Sequence, residues 1–152
     1  MINEKLAELG LTLPKPSKPL AAYIPGHIIG NMLYTSGHLA RKDGELIHKG
    51  KIGAEVSEEA GMEAAKWCIV DLLATVNDML GSLDRIEQIV KITVFVNCVE
   101  GYGNQPKIAN GASEMLVQIF GEKGKHARSA VGVSGLPLDS PVEIEMIALI
   151  KD

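Results

Sequence analysis

The sequence predicts an α+β domain, a two-layer sandwich in which two long helices cover one face of a mixed sheet. Three observations carry this. A run from Ser57 to Leu80 keeps one apolar stripe at helical spacing, through Ala60, Ala64, Ala65, Cys68, Leu72, Val76 and Met79. A second such run extends from Tyr102 to Phe120 through Ile108, Met115, Leu116 and Ile119. Between and after them lie segments that alternate with period two, which is the pattern of a half-buried strand.

Taken in order, residues 1–20 form an N-terminal arm. A short amphipathic piece with Leu6 and Leu9 on one side leads into Leu-Pro-Lys-Pro-Ser-Lys-Pro, whose three prolines forbid helix and favour an extended path. Residues 21–152 are read as a single domain. Ile28 to Ser36 reads as a hairpin turning at Gly30-Asn31, and 37–53, with its Asp43-Gly44 turn signal, as a surface loop. Ser57 followed by Glu58 and Glu59 is an N-cap with acids in the first turn, and Gly81 is the matching stop. Ile89 to Cys98 sets Val90, Ile92, Val94 and Val96 against Lys91, Thr93, Phe95 and Asn97, a strand with one strongly buried face. The last strands are Arg128–Ser134 and Val142–Ile150, giving the order ββ-α-β-α-ββ. With helices on one face only, Phe95, Ile147 and Leu149 need another cover, and a homo-oligomer is the simplest one.

Composition narrows the function classes. Among 152 residues, 46% are hydrophobic and 22% charged, which fits a globular domain rather than a disordered chain. A net charge of −4 with no basic run argues against nucleic acid as a partner. Cys68 and Cys98 belong to no CxxC or Cys/His cluster and read as buried thiols. The four histidines lack ligand spacing, so no metal site is expected. No run approaches the ~18 apolar residues of a membrane span, and a soluble, cytoplasmic protein is expected.

The chemistry concentrates in the last quarter, Ala127-Arg-Ser-Ala-Val-Gly-Val-Ser-Gly-Leu-Pro-Leu-Asp-Ser-Pro-Val-Glu-Ile-Glu-Met-Ile-Ala148. Its short Gly-Leu-Pro-Leu-Asp-Ser-Pro connection is expected to fold the two strands back on each other, bringing Arg128 and Glu143 to the same end. The guanidinium fork suits a structural ion pair with Glu143 or Glu145, or an anionic substrate.

This segment resembles the C-terminal signature of the reactive intermediate deaminase family (Rid or YjgF-like, also called L-PSP endoribonuclease-like). Further pieces follow in the same order: Tyr23 before Gly30-Asn31, Tyr-Thr-Ser-Gly at 34–37, Val-Lys-Ile-Thr-Val-Phe-Val at 90–96, and Asn110 before Glu114. The resemblance spans roughly residues 20–150. It implies a chorismate-mutase-like fold and a homotrimer with a cleft at each subunit interface. It also implies cofactor-free hydrolysis of small enamine or imine intermediates, such as 2-aminoacrylate, to 2-keto acids and ammonia.

Carried over position by position, Arg128 is the arginine that binds a substrate carboxylate, and Glu143 is the glutamate that positions or activates the attacking water. Tyr23, Ser36 and Asn110 line the cleft. The alternatives are an edge ion pair for Arg128, a solvated face for Glu143 or Glu145, an interface side chain for Tyr23, and a solvent-facing helix position for Asn110. His126 is expected to face water. Three departures stand out. Ala-Ala-Tyr-Ile-Pro-Gly-His at 21–27 replaces the usual Gly-Pro-Tyr-Ser-Gln-Ala, Ala130 replaces a frequent cysteine, and the span from Asn110 to Arg128 is one residue longer. A non-catalytic trimer that binds keto acids is the competing reading. The ribonuclease label is disfavoured by the acidic balance and the lack of a basic aromatic groove.

Overall fold

The computed structural model describes residues 1–16 and 22–152. The extended path expected of the proline-rich stretch runs into residues 17–21, outside the described residues. Helix α1 (Ile2–Glu8) is no free arm. Leu6 and Leu11 are buried in the core, and the Ile2 amide donates to Asp84 Oδ1 at 2.9 Å.

The hairpin forms as β1 (Gly26–Ile29) and β2 (Met32–Thr35), and Gly30 takes φ 60° between them. The expected surface loop is more structured than its composition suggests. It holds β3 (His38–Leu39) and a two-strand ribbon, β4 (Arg41–Lys42) with β5 (Glu45–Leu46), turning at Asp43-Gly44. His38 and Ala40 are buried there, because β3 pairs with the sheet.

Helix α2 (Glu58–Leu80) keeps both predicted ends. Ser57 Oγ accepts from the Ala60 amide at 3.1 Å, and Gly81 closes the helix at φ 79°. Strand β6 (Ile86–Asn97), helix α3 (Gln105–Phe120), strand β7 (Ala127–Val133) and strand β8 (Val142–Ile150) follow. Glu58 accepts from Tyr102 Oη at 2.6 Å, from Asn104 Nδ2 at 2.9 Å and from Lys107 Nζ. The tyrosine bond foremost, then the other two, pull its carboxyl down to about 2. This ties the start of α2 to the start of α3.

The sheet order is β1-β2-β8-β6-β7, with β3 also pairing along β8. All pairs are antiparallel except β6 with β7, which α3 connects as a crossover helix. One expectation from the sequence is corrected here: β7 and β8 do not fold back on each other. The short connection instead carries the chain past the end of β6, with Leu138 and Asp139 at φ 56° and 61°. Asn97 clips the crossing, its amide donating to Pro141 O at 2.9 Å and its Nδ2 to Ser140 O at 3.3 Å.

The helices lie on one face, over Leu33, Ile92, Val94, Ile144, Met146 and Ala148, all at most 1% exposed. A bulge between Ile89 and Lys91 places Ile89, rather than Val90, in the core. The opposite face carries Tyr34, Thr93, Phe95, Val131, Glu143 and Ile147, and Tyr34 and Val131 are each 44% exposed.

Candidate functional site

Arg128 opens the edge strand β7, opposite Ile92, so its side chain rises on the helix face. There α3 meets it: Arg128 Nη1 donates to Asn110 Oδ1 at 2.9 Å and to Ser113 Oγ at 3.1 Å. Behind Ser113 stands His126. Its Nδ1 donates to Gly124 O at 2.6 Å, so its Nε2 is the acceptor for the Ser113 hydroxyl at 2.9 Å. The guanidinium is thereby oriented through one terminal nitrogen, and its Nη2 and Nε form no hydrogen bond among the described residues. Among the described residues it forms no ion pair, neither with Glu143 nor with Glu145.

Glu143 opens β8 and sits opposite Phe95, on the face without helices. The Gly37 backbone packs on its carboxyl so closely that a Cβ there would stand 2.8 Å from Cδ. Burial first, and then the neighbouring Glu145, raise the Glu143 carboxyl above the usual carboxylate range. Ser36, just before Gly37, is tied back to the segment entering β1. Its amide donates to Pro25 O at 2.9 Å and its hydroxyl to Ile24 O at 2.7 Å. Tyr23 lies at the head of that segment, 55% exposed.

The five predicted site residues therefore fall into two groups. Arg128 and Asn110 meet directly, while Glu143 and Ser36 gather with Gly37 two strands away, and Tyr23 stands near the second group. Along β6 the two groups are in register with Ile92 and Phe95, three residues apart. At about 3.3 Å per residue and about 4.8 Å per strand, the Arg128 and Glu143 Cα atoms lie about 14 Å apart. Their side chains also leave opposite faces. The expectation that one chain brings them to the same end is corrected: β6 lies between them, and parity along the strands turns them apart.

Comparison with known proteins places this arrangement. The family model described as "YjgF/chorismate mutase-like, putative endoribonuclease" matches residues 3–150. The chain belongs to the YjgF-like family. Protein TCP17 of Trypanosoma cruzi is 36% identical over 147 residues, covering 96% of this chain and 92% of that one. The crystal structure of protein Atu1372 from Agrobacterium tumefaciens is 39% identical with a TM-score of 0.93, covering 99% of this chain and 92% of that chain. The RutC family protein PYRAB12510 of Pyrococcus abyssi is 29% identical over 136 residues, with 88% and 91% covered.

Within this YjgF-like fold, sequence reasoning missed the residues that work through others. His126 faces Ser113 rather than water, and neither has a pattern to betray it, since their contact joins a helix to a loop thirteen residues on. Also missed was a cleft of about 710 Å³ at the far end of β7, lined by Lys51, Cys98, Tyr102, Gln105, Gly132 and Ser134. Lys51 Nζ donates there to Asn97 Oδ1 at 3.0 Å and to Ser134 O, and a Cβ on Gly132 would meet both Cys98 Sγ and Gln105 Nε2 at 2.8 Å. Three stretches far apart in the chain build it, so no local motif marks it. No helix among the described residues is long and apolar enough to cross a membrane.

Proposed function

We propose that the protein hydrolyses small enamine or imine intermediates of the 2-aminoacrylate type to 2-keto acids and ammonia, in clefts formed between copies of the chain in a homotrimer. The observation that carries this reading is Arg128: a half-buried guanidinium preset by Asn110 and Ser113, with further donors left unbonded and no carboxylate partner among the described residues. Such a fork suits a small planar carboxylate and fixes its orientation.

An imine carbon is already electrophilic, so positioning and a base suffice. After the enamine takes a proton at its terminal carbon to become the imine, a water adds. Glu143 accepts the water's proton as the new C–O bond forms, and the imine nitrogen is protonated. The carbinolamine then collapses: its hydroxyl proton leaves as the carbonyl forms, the C–N bond breaks, and the protonated nitrogen departs as ammonia. A desolvated carboxylate with a raised pKa is a stronger base for the first transfer. Tyr23 and Ser36 would complete the polar lining on the Glu143 side. Because one chain holds the two groups on opposite faces of its sheet, a second copy is the means by which both could reach one substrate.

The test couples a pyridoxal-phosphate dehydratase acting on serine to this protein and follows keto-acid formation. Arg128→Ala and Glu143→Gln are each expected to lose about 10²-fold or more of the acceleration. Co-expressed in equal amounts, the two inactive variants should recover about a quarter of wild-type activity, since a quarter of clefts draw both intact groups from different copies. No recovery would sink the shared-cleft reading, and no acceleration by wild type would sink the deaminase.

The exposed Tyr23 and its altered neighbours favour a second reading, a trimer that binds keto acids without turnover. In that case Glu143→Ala would leave ligand affinity intact while Arg128→Ala would abolish it.

A further inference from the structure

Beneath Glu143 lies a connected set of buried polar groups that the reaction above does not use. His38 begins β3 opposite Ile144, so its ring enters the layer between sheet and helices, where it is 8% exposed. His38 Nδ1 is 2.9 Å from Ser36 O, and a carbonyl only accepts, so Nδ1 carries the proton. His38 Nε2 is then the acceptor at 2.9 Å for the hydroxyl of Thr75, a 2%-exposed residue on α2. With the Ser36 amide and hydroxyl already bound to Pro25 O and Ile24 O, the Ser36 carbonyl is the last free group of that residue, and the histidine takes it. The chain that leaves this fixed point is Gly37, whose backbone touches the Glu143 carboxyl with no room for a side chain: a Cβ would lie 2.9 Å from Oε1.

We propose that His38 is a positioning residue for Glu143: by fastening the Ser36 carbonyl to Thr75 of α2, it holds the Gly37 backbone against the Glu143 carboxyl and so sets where that carboxylate lies and how little water reaches it. The role rests on Glu143 being the base. Its geometry is nonetheless independent of turnover. The ionisable groups linked to this set come from three elements: Arg41 on β4 acts on His38 and on Asp71 of α2, Asp71 and Glu143 both act on Cys68 of α2, and Glu145 stands beside Glu143 on β8. Burial foremost, with Arg41 adding to it and the Ser36 bond opposing, holds the His38 imidazole neutral, the form that can accept from Thr75. The Gly37 backbone is among the groups that cover the Glu143 carboxyl, whose raised value has burial as its leading cause.

The experiment follows the Glu143 side-chain carboxyl by carbon-13 NMR, assigned against Glu143→Gln, in wild type, Thr75→Val, His38→Gln and His38→Ala. Thr75→Val keeps the shape and removes only the hydroxyl, so the test survives if His38→Ala fails to fold. Loosening the Ser36–Gly37 peptide is expected to move the Glu143 titration down, towards that of an ordinary glutamate, in Thr75→Val and His38→Ala. His38→Gln, whose amide can still donate to the Ser36 carbonyl, should restore part of the shift. In the coupled assay kcat should fall about 10-fold to 100-fold with KM, set by Arg128, nearly unchanged. If Glu143 titrates as in wild type in variants that fold, His38 is only a packed core residue and the proposal is overturned. If the titration moves as expected while even wild type shows no turnover, the positioning stands and the deaminase reading is what fails.

Discussion

Asp71 sits on α2 at 4% exposure with no ion pair among the described residues, and burial pushes its carboxyl up to about 6 despite the opposing pull of Arg41. A carboxyl raised in the fold disfavours the charged form, so it destabilises the protein at neutral pH, and the fold gains stability as pH falls through 6 towards 4. His38 has the opposite sign. Its folded value is lowered, so its contribution is present above about 6.5 and is lost as pH falls below it. Asp71→Asn should therefore raise stability at pH 7 by up to about 3 kcal/mol, since the carboxyl titrates roughly two pH units above an ordinary aspartate and each such unit corresponds to about 1.4 kcal/mol. Denaturant melts from pH 4 to 8 should then lack the gain due to Asp71 as pH falls through 6, while the acid-side loss due to His38 remains. A variant with the wild-type slope between pH 4 and 7 would contradict this. At this scale the sequence was legible only where a pattern existed. Arg128 and Asn110 could be picked from their places in a motif and do meet, whereas Ser113, His126, Thr75 and His38 act through contacts across the fold that leave no periodic trace.

The two long helices approach so closely that Gly111 of α3 lies against the backbone of α2, where a Cβ would stand 2.1 Å from Met62 O. A backbone atom cannot swing aside as a side chain can. Gly111→Ala is therefore expected to destabilise the fold by about 1–3 kcal/mol, although alanine in an open helix position would help by about 1 kcal/mol. A chemical denaturation midpoint at or above wild type would refute the close approach. Element ends with local causes were readable, as Ser57 and Gly81 bracketing α2 illustrate. Pairing was not. The connection after β7 is short enough for a hairpin, but β6 already occupies the place beside β7, and Asn97 fastens the passing chain to the end of β6. The bulge at Val90 likewise defeats a strict count by two.

For the molecule as a whole, the helix-free face presents Tyr34 and Val131, each 44% exposed, with Phe95, Ile147 and Leu149 partly exposed beside them. If copies of the chain cover this face, light scattering should report about 49 kDa, three times the 16.3 kDa chain. Val131→Lys, which puts a charge on that face, should shift the mass towards 16.3 kDa and remove deaminase acceleration with it. A wild-type monomer that still turns over substrate would break the link between assembly and chemistry. The layering and the bare face were both legible from apolar spacing alone, because covering a sheet on one side leaves its other side with an unmet need. How that need is met lies in shape rather than in any single stretch of residues.

If the chain assembles as the proposed homotrimer, the parity of β6 would make each copy a donor of one half of a cleft to one neighbour and of the other half to the next. Such an assembly would have no activity to lose one subunit at a time: dilution below its assembly constant would silence it altogether, and a single defective copy lacking both Arg128 and Glu143 would spoil two of the three clefts in any ring it joined. In a cell carrying one damaged gene beside an intact one, the harm would exceed half.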